Sequence, residues 1–199
     1  MMSCSRQPGF TLIELLVAVA LFGAMVVGLS AFYGMVFGDQ YRKFADLAVA
    51  NGTTSVRRAF DSAVGSATYI QAPLVGNVGN YLTVWTNLDT DGATALVTGV
   101  TPQFSHLCCT PDVRCTTIYL YQGTGSANVP SACGANPASG VTRMLLVGGS
   151  GFSDTSLAFN RLEPNLVQMT SGITLTDTRM LEHSAFVETQ AVVSANDQN

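Results

Sequence analysis

Charged residues are scarce in this chain of 199 residues. Only 11% of them are Asp, Glu, Lys or Arg, about half of the share in an average soluble domain. The 9 basic residues do not outnumber the 13 acidic ones, and the net charge is -4, which excludes a polybasic nucleic-acid-binding protein. The hydrophobic share of 47% excludes a disordered chain, because disorder requires low hydrophobicity and high net charge.

Signatures of catalysis are also missing. The sequence has neither a G-x-S-x-G motif nor a phosphate-binding glycine loop, and its only histidines are His106 and His183. A pair of nucleophile and base is not indicated for either histidine, because the cysteines of the head are expected to be committed to disulfides. We therefore expect no enzymatic activity and no cofactor.

What the sequence does have is one concentrated apolar segment near its start. Residues 10–38 include 22 hydrophobic residues among 29, and their single charge is Glu14. The 24 uncharged residues that follow Glu14, Leu15–Gly38, would span about 36 Å as a helix, which is enough to cross a bilayer. The pattern predicts a membrane segment followed by a head of residues 39–199.

Two ordinary explanations of this segment fit poorly. A secretory signal peptide has an apolar core of about 7 to 15 residues, whereas this one continues for about 17 residues beyond Ala20. A simple transmembrane anchor does not account for Glu14, because a carboxylate inside a spanning helix costs about 2.5 to 3.5 kcal/mol and normally has a function.

A local motif accounts for both the length and the carboxylate. It reads Gly9-Phe10-Thr11-Leu12-Ile13-Glu14-Leu15-Leu16-Val17. These residues resemble, one for one, the cleavage and methylation motif of type IV pilins and type II secretion pseudopilins. The resemblance implies that a prepilin peptidase removes a leader, residues 1–9, by cutting after Gly9. The same enzyme would then methylate the new amino group of Phe10.

The resemblance also implies a role for Glu14 in assembly. The amine of Phe10 would lie at the end of an apolar helix, where Glu14 of a neighbouring subunit supplies a counter-charge. Such a buried pair sets the register between subunits, because removing one partner leaves the other charge unpaired at a cost of about 3 to 5 kcal/mol.

The remainder of the chain predicts an α+β fold, with one long N-terminal helix packed on an antiparallel sheet, as in pilins. The helix continues to about residue 68, and apolar residues recur on one face of its upper half: Phe44, Leu47, Ala48, Val56, Ala59, Phe60, Ala63, Val64 and Ala67. Asn51–Thr54 interrupts this stripe and predicts a kink or break. Period-two patterns then predict strands at 81–86, 93–100, 116–121, 141–147, 156–161, 166–170 and 185–193.

Four cysteines lie in the head, whereas Cys4 lies in the leader. We expect the head to be outside the cytoplasm, where two disulfides would form among Cys108, Cys109, Cys115 and Cys133. A bond between the adjacent Cys108 and Cys109 is disfavoured by its geometry, which leaves two possible pairings. A zinc site that includes His106 is the alternative, but the paired C-x-x-C spacing of such sites is missing.

An acidic loop resembles the first half of a calcium-binding loop. Asn87, Asp89 and Asp91 occupy its first, third and fifth positions, and Gly92 its sixth. The twelfth position is Thr98, so the bidentate carboxylate is absent. We favour a hairpin turn, in which Asp-Gly supplies the positive φ angle, and keep calcium as the alternative.

Together these features predict a minor pilin, a structural subunit of a type IV pilus-like filament. Its partners would be the prepilin peptidase, other pilin subunits and, before assembly, the lipid of the bacterial inner membrane; no specific nucleic acid is indicated. The head would lie outside the cytoplasm and then on a cell-surface or periplasmic filament. A pseudopilin of type II secretion or DNA uptake is the alternative, and a membrane-tethered binding or enzymatic domain is a more distant one.

Overall fold

A computed structural model describes residues 11–111, 115–149, 151–176 and 181–193. The chain divides into two compact units, Met1–Lys43 and Phe44–Asn199. The leader cleavage site, Gly9 and Phe10, lies outside the described residues. The architecture is α+β, with one long N-terminal helix and antiparallel sheets, as the sequence predicts.

Helix α1 runs from Leu12 to Gly65 without interruption. The predicted break at Asn51–Thr54 is wrong. Thr53 and Thr54 stay helical, and their hydroxyls donate to the carbonyls one turn back, at 2.8 Å in both cases. Gly52 marks close packing instead, because a Cβ built there would lie 3.2 Å from a methyl group of Val147. The small and polar residues of this segment therefore let the helix approach the sheet.

The buried face of the upper helix is also shifted from the predicted stripe. Val56, Phe60 and Val64 are fully buried as expected, but Phe44 and Leu47 are 67% and 57% exposed. At 3.6 residues per turn, the face that contains Val56 and Phe60 continues downward through the smaller residues of the helix, not through Phe44 and Leu47. The side chains buried there are Ala45 and Val49.

Within the described ranges, nine strands follow the helix, together with a short 3-10 helix at Ser126–Asn128. The strands are β1 Tyr69–Ala72, β2 Val78–Gly79, β3 Tyr81–Thr86, β4 Gln103–Thr110, β5 Thr117–Thr124, β6 Thr142–Val147, β7 Phe152–Glu163, β8 Leu166–Thr176 and β9 Glu182–Val192. They form two antiparallel sheets, with the orders β1-β3-β4-β5-β6 and β2-β7-β8-β9.

Two predictions about the strands are wrong. The segment 93–100 is not a strand and makes only an isolated bridge between Leu88 and Ala95. The hairpin predicted across Asn87–Gly92, between the strands 81–86 and 93–100, is also wrong, because β3 pairs with β4. Strand β4 is buried on both faces, so it lacks the polar and apolar alternation by which a half-buried strand is recognised.

Two clusters of buried side chains fill the head. The first joins the upper helix to both sheets, and its central contact is a stacked pair, Phe60 and Phe159, with ring centroids 6.2 Å apart. The second is smaller and contains Trp85, Phe104, Cys108 and Tyr121. Strand β4 contributes alternate residues to the two clusters, because successive side chains point to opposite faces of a sheet.

Candidate processing and assembly site

The N-terminal end of α1 is closed by a hydrogen-bonded cap. The backbone amide and the hydroxyl of Thr11 both donate to Oε2 of Glu14, at 2.9 Å each, and the amide of Glu14 donates to the Thr11 hydroxyl at 3.4 Å. This is a capping box, which satisfies amides that have no partner within the first turn. Glu14 also places negative charge at the positive end of the helix dipole.

The capping box is a role of Glu14 that the sequence reasoning missed. Its signal was present, because Thr11-Leu12-Ile13-Glu14 has the T-x-x-E spacing. Both bonds end on Oε2, and within the described part of the chain no group donates to Oε1. The carboxylate therefore closes its own helix and keeps one oxygen for a further donor.

The apolar segment above the cap leaves its own side chains exposed. Its large hydrophobic residues are exposed in the single chain, from 37% at Val36 to 79% at Leu12. A window of α1 has a mean hydropathy of 2.6 and is 0% buried, so the helix is long and apolar enough to cross a membrane. A continuous apolar surface of this extent requires lipid or other helices around it.

One family model matches the chain, the prokaryotic N-terminal methylation motif, over residues 4–30. The match covers the candidate cleavage site, the capping box and 21 of the 29 residues of the apolar segment. The chain carries the type IV pilin and pseudopilin signature. No curated protein and no solved structure matches it.

The signature is the one that type IV pilins and pseudopilins carry. It implies processing by a prepilin peptidase and assembly with other pilin subunits. Proteins with this motif are structural rather than enzymatic. The motif and the exposed apolar helix both fit anchoring in a membrane and incorporation into a filament.

In the head of the pilin-like chain, the four cysteines are sorted by the two faces of β4. Cys108 lies in the smaller cluster and forms a disulfide with Cys133, with Cα atoms 5.8 Å apart. Cys109 lies on the opposite face, in the main core with Cys115. Because adjacent side chains of a strand point to opposite faces, Cys108 and Cys109 reach different partners. The strand therefore decides between the two pairings that the sequence left open.

Cys109 and Cys115 are both buried thiols in the structure. A hydrogen bond between the two side chains lowers the pKa of Cys115, and a further bond from Thr155 acts in the same direction. The Thr155 hydroxyl also donates to the Cys115 carbonyl. A disulfide between Cys109 and Cys115 stays a prediction, and the hydrogen bond shows that the two side chains lie next to each other.

The zinc alternative is not supported by this arrangement. His106 lies on the same face of β4 as Cys108, but the sulfur of Cys108 is bonded to Cys133. Cys109 and Cys115 lie on the other face. Across the described ranges, no three His, Cys, Asp or Glu residues lie close enough together to hold a metal ion. The Nδ1 atom of His106 is instead 2.8 Å from the Thr83 hydroxyl, and burial lowers the pKa of His106 to about 4.

The acidic loop forms a turn, and two of its three calcium candidates have other contacts. Asp89 accepts hydrogen bonds from the backbone amides of Ala93 and Thr94, and the Asn87 side-chain oxygen accepts from Val97. Gly92 has a φ of 71°, which agrees with the turn that the Asp-Gly sequence predicts. The backbone amide of Asp91 also donates to the Asp89 carboxylate.

Proposed function

We propose that this chain is a minor pilin that is cut after Gly9, methylated at Phe10 and built into a filament through residues 10–38. The observation that carries the proposal is the methylation motif at residues 4–30, joined to a helix that leaves its apolar surface uncovered. The mature chain would keep about 190 residues, most of them in the head. Such a large head favours a minor subunit over a major one.

In this proposal, Glu14 performs two tasks at once. It caps its own helix through Oε2 and offers Oε1 to the methylated amine of Phe10 in the neighbouring subunit. A carboxylate among packed apolar helices is costly unless it is paired, so the pair forms only when the subunits are in register. Before assembly, the same end of the helix lies at the surface of the inner membrane, where water solvates both charges.

The two tasks are separable by substitution. Glu14→Gln keeps an oxygen for the capping box but removes the charge, whereas Thr11→Ala removes the capping hydroxyl and keeps the charge. Each variant would be co-expressed with a prepilin peptidase and a pilus assembly machinery, and its share in sheared filaments compared with its membrane level. Glu163→Gln, at an exposed carboxylate of the head, is the matched control.

We expect Glu14→Gln to be lost from filaments as completely as Glu14→Ala, while Thr11→Ala and Glu163→Gln assemble. Leaving the neighbour's amine unpaired costs about 3 to 5 kcal/mol, which corresponds to at least a hundredfold loss of incorporation. Normal incorporation of Glu14→Gln would refute the charge-pair role and leave only the capping role.

We also propose that Cys109 and Cys115 form a second disulfide once the head is outside the cytoplasm. Their thiols would give up two protons and two electrons to a disulfide-bearing protein oxidant, which becomes a dithiol. Denatured but unreduced mature protein should then take up no N-ethylmaleimide at these positions. Labelling of both residues would contradict the proposal, and labelling of a reduced sample is the positive control.

A further inference from the structure

The head contains a groove of about 820 Å³ next to the Cys108–Cys133 disulfide. One wall comes from residues 71–80 and the other from residues 129–133, and the buried side chains of Thr83 and His106 lie at its base. Its volume is within the range of about 300 to 1,000 Å³ that is typical of small-molecule sites.

The first wall of the groove is held in place from behind. Strand β2, which belongs to this wall, pairs with β7 of the other sheet. The guanidinium of Arg161 donates to the carbonyl of Ile70 at 2.8 Å and to that of Pro73 at 3.4 Å. Arg161 does not line the groove. Its guanidinium instead fixes the backbone of the wall through these hydrogen bonds.

The second wall is fixed by a covalent bond and by Tyr121. The disulfide ties Cys133 to β4, and the buried Tyr121 hydroxyl accepts from the amide of Gly134 at 3.0 Å and donates to the carbonyl of Ala135 at 2.9 Å. Both walls are therefore positioned before any ligand arrives. Such preorganisation reduces the entropy that binding would otherwise cost.

Among the residues that the structure describes, the lining of the groove carries no formal charge. These lining residues include no Asp, Glu, Lys or Arg, and their one titratable imidazole, His106, is neutral at pH 7. An ionic ligand would lose its hydration in the groove without meeting a counter-charge there, so ionic ligands are disfavoured.

The groove nevertheless offers hydrogen-bonding groups and an aromatic surface. The side-chain amides of Asn77 and Asn80 make no hydrogen bond to the protein within the described ranges. The amide of Gln71 accepts from Trp85 through its oxygen, at 2.8 Å, which leaves its NH₂ group as a donor. Tyr81 is 45% exposed, and its ring lies 5.5 Å from that of His106.

We propose that this groove binds an uncharged saccharide. Each hydroxyl group of such a ligand both donates and accepts, as amide side chains do, and the apolar face of a sugar ring packs against an aromatic ring. The amides of residues 71, 77 and 80 would bind the hydroxyls, and Tyr81 would support one ring. The site is contained in the head, so it does not depend on whether the chain enters a filament.

The test uses the detergent-solubilised full chain on an array of neutral hexose and N-acetylhexosamine oligosaccharides, with sialylated and uronic-acid oligosaccharides as charged counterparts. Neutral glycans should be bound in preference to charged ones. The best neutral glycan is then titrated by calorimetry against variants. Tyr81→Ala should raise its Kd about tenfold, and Tyr81→Phe, which keeps the ring, should leave the Kd nearly unchanged.

Two further variants keep the test decisive if Tyr81→Ala perturbs folding. Asn77→Ala changes an exposed side chain that makes no hydrogen bond within the described ranges, and it should raise the Kd about threefold to tenfold. Phe186→Ala removes a ring that is 65% exposed outside the groove and should have no effect. The proposal is overturned if no neutral glycan binds, or if charged glycans or peptides bind instead. It is also overturned if neither Tyr81→Ala nor Asn77→Ala changes the Kd.

Discussion

The stability of the head should depend on the Cys108–Cys133 disulfide to an extent set by the loop that it closes. The two cysteines are separated by 25 residues. In the chain-entropy model, a loop of this length contributes about 3.5 kcal/mol at 25 °C by restricting the unfolded chain. A Cys109–Cys115 bond closes a loop of only about six residues and would contribute about 2 kcal/mol.

The long loop is best measured in a Cys109→Ala/Cys115→Ala variant, in which only the Cys108–Cys133 bond remains in the head. Comparing this variant before and after reduction changes no side-chain volume, so the difference in unfolding free energy belongs to the bond alone. Trp85 is the single tryptophan, is 4% exposed and lies in the same cluster as Cys108. Its fluorescence during urea unfolding therefore reports directly on this part of the head.

Reduction should lower the unfolding free energy by about 3.5 kcal/mol and raise the urea dependence, because the reduced unfolded chain exposes more surface. A loss below about 1 kcal/mol would refute the assignment of the bond as a structural constraint on this loop. An unchanged urea dependence would argue against the entropic explanation in particular.

Three other changes have expected outcomes in the same unfolding assay. Phe60→Ala removes one ring of the stack with Phe159 in a fully buried site and should lower the unfolding free energy by about 3 to 5 kcal/mol. Gly52→Leu forces a side chain against Val147 and should cost about 1 to 3 kcal/mol. The pKa of His106 is about 4 when folded, below its usual value of about 6.5, so the unfolded state binds the proton first as the pH falls. Between these two pH values the wild type should lose up to about 3 kcal/mol that a His106→Asn variant does not lose.

The helix and its motif were predictable from the sequence because their signals are local. An apolar run of this length forms a helix in a bilayer, and the residues from Gly9 to Val17 form one continuous motif. The predicted break at Asn51–Thr54 failed because Gly and Thr weaken a helix only when packing does not compensate. Here Gly52 lies against Val147, so tertiary contact overrides the local preference.

The sheet was less predictable because its order depends on contacts between distant residues. The segment 93–100 has the period of a strand, but Asn87 holds it as a loop through hydrogen bonds to Val97 and Val100. Strand β4 pairs with β3 instead. Once β4 is known, the cysteine pairing follows from its two faces, whereas the sequence alone left two pairings open.

The groove was not predictable from any motif. Its walls are far apart along the chain, at residues 71–80 and 129–133, and Arg161 fixes one of them from a third region. Only the pairing of the strands and the disulfide bring them to opposite sides of His106.

The central claim is that this chain is processed and assembled as a pilin, and mass spectrometry of the N-terminus tests it most directly. Protein would be isolated from cells that contain the prepilin peptidase, and protein from peptidase-deficient cells would serve as the control. The account predicts an N-terminal peptide that begins at Phe10 and carries one methyl group on its amine, with residues 1–9 absent. A chain that still begins at Met1 in the presence of the peptidase, or that is cut at another position, would contradict it.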